Sequence, residues 1–318
     1  MFRFRAVYVA LFVALTGSLI EFSHAAEKKR VVMIAGTKSH GYGSHEHKAG
    51  CLLLKRCLDE GAPNVETVVY TGGWPKDPAV LKDADVLVLY MDGGGRHPVN
   101  NRLEEVDRLM KRGVGLVCIH YAVEVPKGKP GAYFLDWIGG YFEVFWSVNP
   151  HWTMEKPQLA AGHPITRGVK PFTANDEWYY HMRFRPEMKG VTPILSAVPP
   201  ERTRRDVKTA RGGNPDVLAR KGMYEVAAWA RQRPDGGRGF GFTGGHVHWN
   251  WGNDQVRKLV LNAIVWTAGG EVPKQGVVTK TPTLEQLEAN QDYPQPANFD
   301  REKIIRMLKG FKETGAAK

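Results

Sequence analysis

The chain has 318 residues, of which 42% are hydrophobic, 10% aromatic and 24% charged. This composition excludes a disordered chain, a coiled coil and a collagen-like repeat, and it can form one large domain or two small ones. The formal net charge is +11, which raises the question of polyanion binding. Three cysteines are too few for a disulfide framework.

Residues 1–26 have the features of a secretory signal peptide. Arg3 and Arg5 form a positive start, and residues 7–20 supply an apolar core. Ser23 and Ala25 are small residues at the two positions that a signal peptidase recognises. The alternative is an uncleaved anchor helix, which the short apolar run disfavours. The sequence therefore predicts an exported protein, periplasmic or secreted, with no transmembrane span after cleavage.

Short apolar runs then alternate with amphipathic helices. Four runs predict buried strands, at residues 31–35, 65–70, 85–91 and 114–119. Helical spacing predicts helices between them, at 46–58 and from 98 to 113. Such β-α units predict a doubly wound, mainly parallel α/β sheet with helices on both faces.

The second half of the chain is less regular. Residues 130–235 are rich in Trp, Tyr and Pro, which predicts an elaborated insertion before the alternation returns with a strand at 239–243 and a helix at 253–268. The polar, Pro-rich segment 271–318 predicts a loosely packed tail with one short helix near 301–308. The predicted organisation is thus a signal peptide at 1–26, an α/β domain at 27–270 and this tail.

Histidines collect directly after the predicted strands. Ligands of an open α/β sheet bind beyond the carboxyl ends of its strands. Six of the eleven histidines fall at this edge, namely His40, His45, His47, His120, His246 and His248. A single histidine in such a place often only holds a loop. Because three separate segments converge, we interpret His40, His120 and His246 as parts of one catalytic site.

Imidazoles beside carboxylates perform acid–base chemistry or hold a metal. No H-E-x-x-H motif occurs, so a divalent metal, the candidate cofactor, would depend on loop geometry. The candidate metal ligands are His45, His47, His246 and His248. The glycines at 93–95 lack the spacing of a dinucleotide site, so no nucleotide cofactor is expected. The absence of G-x-S-x-G argues against a serine nucleophile.

A second polar cluster lies in the insertion. Asp176 and Glu177 are the candidate catalytic carboxylates there, beside aromatic residues. Aromatic faces next to carboxylates suit sugar recognition, but the same aromatics could be core residues, and the sequence leaves both alternatives open. The candidate substrate-binding residues are Asp92, Arg96, His151, Trp152, Tyr179, His248 and Trp249. The basic loop 202–211 has no interleaved aromatics, so nucleic acid is a disfavoured partner.

Six segments within residues 29–270 share the order and spacing of a known family: 35–40, 113–120, 139–142, 163–168, 176–179 and 237–246. On these segments the sequence resembles the ThuA-like, or trehalose utilisation, family. The resemblance implies a flavodoxin-like, class I glutamine amidotransferase-like fold and use of disaccharides through 3-keto sugars. Amidotransferases carry a nucleophilic cysteine in the turn where this chain has His120, so Cys-dependent amidotransferase chemistry is not expected.

Two functions follow as hypotheses. The first is an exported protein that acts on a small carbohydrate, a glycoside or 3-keto sugar, by His–carboxylate acid–base or metal-assisted chemistry, as a lyase, isomerase or hydrolase. The second is a non-catalytic carbohydrate-binding module on the same fold. A third possibility, polyanion binding through the basic loop, is weaker because export separates the protein from nucleic acid.

Export predicts that the mature protein begins close to residue 26. N-terminal sequencing of protein from the native host should start at Ala26 or Glu27, because the small residues before them form the cleavage site. A soluble protein that still begins at Met1 would contradict the prediction.

Overall fold

The computed structural model describes the backbone of residues 28–316 and the side chains up to residue 311. The predicted signal peptide therefore lies outside the described residues. Within the described part, no helix has both the length and the apolar character needed to cross a membrane.

Twelve strands lie in the described part of the chain. They are β1 (Lys29–Ala35), β2 (Val65–Tyr70), β3 (Val86–Tyr90), β4 (Gly115–Ile119), β5 (Gly140–Tyr141), β6 (Trp152–Glu155), β7 (Gln158–Leu159), β8 (Thr173–Asp176), β9 (Arg183–Phe184), β10 (Val191–Ala197), β11 (Glu225–Gln232) and β12 (Arg238–Phe242). Eight form one sheet in the order β2–β1–β3–β4–β12–β11–β10–β7. The first five of these are parallel and the last three join antiparallel. The prediction of a mainly parallel sheet is confirmed.

Helices cover both faces of this sheet. They are α1 (His47–Gly61), α2 (Leu103–Lys111), α3 (Lys129–Trp137), α4 (Pro215–Ala219), α5 (Asp254–Thr267), α6 (Leu284–Glu288) and α7 (Arg301–Ala316). Because successive strand residues point to opposite faces, Val31 and Met33 pack with α1 and α5, whereas Val32 and Ile34 pack with α2 and α3. The helix predicted from residue 98 begins later, since residues Pro98–Asn101 form a separate 3-10 turn.

The insertion extends the sheet and also reaches over its carboxyl edge. β7, β10 and β11 belong to the main sheet, while β5 pairs with β9 and β6 pairs with β8. The Asp176 carboxylate at the end of β8 accepts a hydrogen bond from the Gly245 N–H in the loop after β12. The residues after β8 are thereby brought to the edge where β1, β4 and β12 end.

The segment after residue 270 packs more tightly than its polar sequence predicts. It contains two helices, α6 and α7, and Leu284, Leu287 and Ile304 are buried against the domain. The Gly43 N–H donates to Gln291 Oε1, so the segment also holds the loop after β1. The prediction of a loosely packed tail is therefore wrong, because a few apolar side chains hold α6 and α7 against the domain.

Val117 lies fully buried at the centre of β4. Val117→Asp places an unpaired charge between two helix layers and should lower the free energy of unfolding by more than about 4 kcal/mol, so that the protein does not fold. The matched control is Val278→Asp, because Val278 is 59% exposed. Thermal unfolding should show no cooperative transition for the first variant and a nearly unchanged Tm for the second. A cooperative, wild-type-like transition of Val117→Asp would contradict the strand assignment.

Candidate active site

The carboxyl ends of three parallel strands bring four histidines together. His40 and His45 lie in the loop after β1, His120 follows β4 and His246 follows β12. The ring centroids of His40 and His120 lie 5.7 and 5.4 Å from that of His246, and His45 stacks on His40 at 3.6 Å. The three imidazoles that the sequence assigns to one site thus share one edge of the sheet.

Three of these histidines have strained backbones. The φ angles of His40, His45 and His120 are 57°, 49° and 55°, in the left-handed region. Such a conformation costs a residue with a Cβ about 1–3 kcal/mol and persists where the surrounding structure enforces it. The fold therefore fixes the direction of these side chains at an energetic cost.

Four side chains form a closed ring of contacts, which we call the histidine–glutamate cluster. It consists of His45, His120, Glu177 and His246. The Nε2 atom of His45 lies 3.0 Å from Nε2 of His120 and 3.0 Å from Nδ1 of His246. Glu177 Oε2 completes the ring, 3.4 Å from His120 Nε2 and 3.2 Å from His246 Nδ1.

Neighbouring groups orient the rings of the cluster. The His120 Nδ1–H donates to the Thr243 carbonyl oxygen at 2.7 Å. His45 Nδ1 lies 3.2 Å from Asp92 Oδ1, and an ionised carboxylate only accepts. In the neutral rings both protons are therefore on Nδ1, and both Nε2 lone pairs point into the cluster. Asn149 Nδ2 donates to Glu177 Oε1 at 2.9 Å and fixes this carboxylate in turn.

His40 is held by the same carboxylate as His45. The Ser39 hydroxyl donates its proton to Asp92 Oδ1 at 2.9 Å and lies 2.6 Å from His40 Nδ1. Because the hydroxyl has a single proton, it accepts from His40 Nδ1–H, which leaves the lone pair on Nε2. Burial lowers the pKa of His40, so this imidazole is neutral near pH 7.

Burial and mutual contacts set the charges in the cluster. Burial lowers the pKa of His45 to about 2. Burial alone would raise the pKa of Glu177, but contact with His120 and His246, which are cationic when protonated, outweighs it and lowers this pKa. Burial alone would also raise the pKa of Asp92, but hydrogen bonds from His45 and Ser39 outweigh this effect and lower the pKa to about 2. A neutral imidazole and ionised carboxylates are the states that bind a divalent cation.

Asp176 has a different place from its neighbour Glu177. It is fully buried, and its oxygens accept from the backbone N–H groups of Glu177, Gly245 and Val247 and from Asn250 Nδ2, at 2.8–3.0 Å. The sequence assigns it a catalytic role, but its lone pairs are occupied by these four donors. Asp176 therefore holds the loop that carries His246 against the end of β8 through hydrogen bonds.

Three further candidates lie at or next to the cluster. The Tyr179 hydroxyl is 3.1 Å from His120 Nε2, and the His151 ring meets His246 edge-on at 4.8 Å. His47, a candidate metal ligand, does not belong to the cluster. Its Nε2 atom lies 3.7 Å from Asp92 Oδ1, the oxygen that also contacts His45.

Three other candidates do not reach the cluster. Trp152 is buried and donates its indole N–H to the Trp178 carbonyl, so it is a core residue. His248 is fully buried and donates from Nε2 to the Leu287 carbonyl oxygen. Trp249 packs on Tyr42. The structure thus separates His248 from His246, because a 3-10 turn begins at His248 and redirects the chain.

Two clefts flank the cluster. The first has a volume of about 580 Å³ and is lined by residues that include Lys38, Asp92, Arg96 and Tyr121. The second, of about 360 Å³, is lined by residues that include Asn149 and His151. Ser39 and Asn149 also contact site residues, although the sequence does not assign either of them a role. The signal for both is their position beside candidates, Ser39 next to His40 and Asn149 two residues before His151.

The fold and the position of the cluster define the class of protein. A doubly wound sheet with polar side chains grouped at its carboxyl edge is an α/β, flavodoxin-like architecture. The sequence matches the profile of a family described as ThuA, trehalose utilisation, over residues 30–267. The chain belongs to this family.

Solved structures agree on the fold. A ThuA-like protein from Bacteroides uniformis, 14% identical, matches with a TM-score of 0.53 over 83% of this chain and 98% of its own. A ThuA-like protein from Parabacteroides merdae, 15% identical, matches with a TM-score of 0.50 over 82% and 99%. At these identities the likeness concerns the fold alone. No curated protein matches the sequence.

The position of Asp176 predicts that its charge stabilises the site. Asp176→Asn turns one acceptor into a donor facing N–H groups and should lower the free energy of unfolding by about 1–3 kcal/mol or more. Asp83→Asn, at an exposed carboxylate, is the matched control and should change stability by less than about 0.5 kcal/mol. Urea denaturation measures both. Equal stabilities of the two variants would contradict the assignment.

Proposed function

We propose that this protein is an exported enzyme that acts on a carbohydrate, a glycoside or a 3-keto sugar, at a divalent metal ion held by the histidine–glutamate cluster. The observation that carries the proposal is the convergence of the four ligand atoms, which all lie within 4.8 Å of one another. Three imidazoles and one carboxylate form a donor set that suits Zn²⁺ and related ions.

The spacing of the ligand atoms fits such an ion. Successive atoms around the ring are 3.0, 3.4, 3.2 and 3.0 Å apart. Donor atoms about 2.0–2.2 Å from one Zn²⁺ ion are about 3–3.6 Å apart when they are neighbours around it, so the contacts of the ring have the spacing of ligands to such an ion. The side chains of Glu177 and His246 are 13% and 14% exposed, so a substrate oxygen can approach from their side.

The directions of the lone pairs support the same conclusion. In the neutral rings, His45 and His120 point Nε2 lone pairs at each other across 3.0 Å. Two lone pairs cannot form a hydrogen bond and they repel each other. A cation between them converts this repulsion into two favourable contacts. Metal-bound histidines commonly donate their other ring N–H to a carboxylate, and the Nδ1–H of His45 donates to Asp92 in this way.

The remaining groups suit proton transfer at a sugar carbonyl. A bound divalent cation supplies polarisation of a carbonyl oxygen or of a water molecule. His40, neutral and with its Nε2 free of the Ser39 contact, can take a proton from the carbon beside that carbonyl. Burial raises the pKa of Tyr179 well above its usual value, so its hydroxyl stays protonated. It can donate to His120 Nε2, 3.1 Å away, or to a substrate oxygen once that nitrogen binds the ion.

The substrate class is supported from two sides. The family's description is trehalose utilisation. The larger cleft has a volume of about 580 Å³ and polar walls, which suit a mono- or disaccharide unit. Export is supported by the signal-peptide features of residues 1–26.

The backbone conformation supports a site in which side-chain direction matters. His40, His45 and His120 are all held in the left-handed region. Strain of this kind is found at active sites, ligand clamps and switch regions.

We expect the purified mature protein to bind one Zn²⁺ per chain. His45→Ala and His246→Ala each remove a ligand and should weaken Zn²⁺ binding at least about 100-fold in calorimetric titrations. His163→Asn is the matched control, because His163 caps a remote turn that Asn can also cap. Wild-type-like Zn²⁺ affinity in both alanine variants would show that the cluster is not a metal site.

Catalysis is tested with glucosides and their 3-keto derivatives. Chelation should abolish turnover and Zn²⁺ should restore it, and His120→Ala should lose turnover while it retains sugar binding. Activity that survives complete chelation would contradict the metal proposal in favour of metal-free acid–base chemistry. Sugar binding without turnover by the wild type would favour the non-catalytic binding module.

A further inference from the structure

The smaller cleft beside the histidine–glutamate cluster has basic walls. Asn149 and His151 line it and also contact the cluster, the first through Glu177 and the second through His246. The facing wall comes from the basic loop and includes Arg202, Arg205 and Arg211. A ligand that touches the cluster therefore has a neighbouring space of about 360 Å³ with three guanidinium groups at its boundary.

These three charges are not equivalent. Arg211 forms a two-pronged ion pair with the buried carboxylate of Glu124, with Nε 2.9 Å from Oε2. Its charge is therefore compensated. Arg202 and Arg205 have no carboxylate within ion-pair distance among the residues whose side chains the structure describes. The cleft thus carries two uncompensated positive charges.

The loop that carries Arg202 and Arg205 is anchored. Between them, Arg204 is buried and pairs with Glu225 at 3.1 Å, and the Thr203 hydroxyl meets the Tyr180 hydroxyl at 3.1 Å. Because these two residues point inward, Arg202 and Arg205 are held at the surface on either side. The Arg205 Nε–H also donates to the Arg202 carbonyl oxygen at 3.1 Å, which limits the directions that this side chain can take.

We propose that the carbohydrate taken by this site carries an anionic group, a carboxylate or a sulfate ester, which binds to Arg202 and Arg205 while the reacting carbon faces the histidine–glutamate cluster. The inference rests on the proposed function and names its substrate class. Guanidinium groups pair with both anions through two parallel hydrogen bonds. Both side chains are exposed, and an anionic group would give their charges a partner that none of the described side chains supplies.

The test compares D-glucuronate, D-glucose 6-sulfate and D-glucose as probes of the Zn²⁺-supplemented mature protein by calorimetry. We expect at least one charged probe to bind about tenfold or more tightly than glucose. Whichever charged probe is preferred identifies the anion. The double variant Arg202→Gln/Arg205→Gln should reduce this preference to less than about threefold.

A matched control separates this effect from a general change in charge. Arg108→Gln/Arg112→Gln removes the same charge at and just beyond the end of α2 and should keep the wild-type preference. Three results would each overturn the inference. The wild type could bind the three probes with equal affinity, it could bind none of them, or the preference could survive in the Arg202→Gln/Arg205→Gln variant. Binding of heparin without binding of the monosaccharides would overturn the inference too, in favour of a polyanion surface.

The two proposals fail in different ways. Zn²⁺ titration of the Arg202→Gln/Arg205→Gln variant should give the wild-type affinity, because neither arginine belongs to the histidine–glutamate cluster. If the protein binds Zn²⁺ and turns over a neutral 3-keto glucoside but does not prefer a charged probe, only the proposal of an anionic substrate is overturned. Failure of the wild type to bind Zn²⁺ would overturn the proposed metal centre, whatever the sugar preference.

Discussion

The carboxylate of Asp176 joins the two parts of the chain from which the site is built. A buried charge is tolerated only when donors replace the water that it has lost. Here four N–H groups do so, one from Glu177, two from the loop that carries His246 and one from Asn250. The same contacts fix where Glu177 and His246 lie relative to each other, so the geometry of the histidine–glutamate cluster depends on them.

On the other side of the cluster, Asp92 fixes the positions of two histidines through hydrogen bonds. It holds His45 directly and His40 through the Ser39 hydroxyl, so one carboxylate determines the proton positions on two imidazoles. The left-handed backbones of both histidines aim their rings at this carboxylate and at the cluster. Backbone strain and the contacts of Asp92 thus fix the directions of these two rings together, as in sites preorganised for chemistry.

The electrostatic character changes across the site. The cluster groups imidazole nitrogens and a carboxylate oxygen that could hold a metal ion, whereas the cleft behind Asn149 and His151 presents the guanidinium groups of Arg202 and Arg205. These regions adjoin each other because the insertion supplies the wall of the cleft and also Glu177. A metal ion and an anionic sugar would therefore be held by neighbouring parts of one segment.

The sequence by itself determined the parallel sheet and the edge at which its histidines meet, because apolar runs and the residues after them are local signals. It did not separate Asp176 from Glu177, since successive residues at the end of a strand point to opposite sides. Nor did it separate His246 from His248, because the 3-10 turn that begins at His248 redirects the chain. Only the tertiary structure decided these roles, together with the burial of Trp152 and the packing of the C-terminal segment. His45 and His246 are 201 positions apart in the sequence, and their ring nitrogens come within 3.0 Å of each other only when the sheet has formed. No local signal in the sequence predicts such a contact.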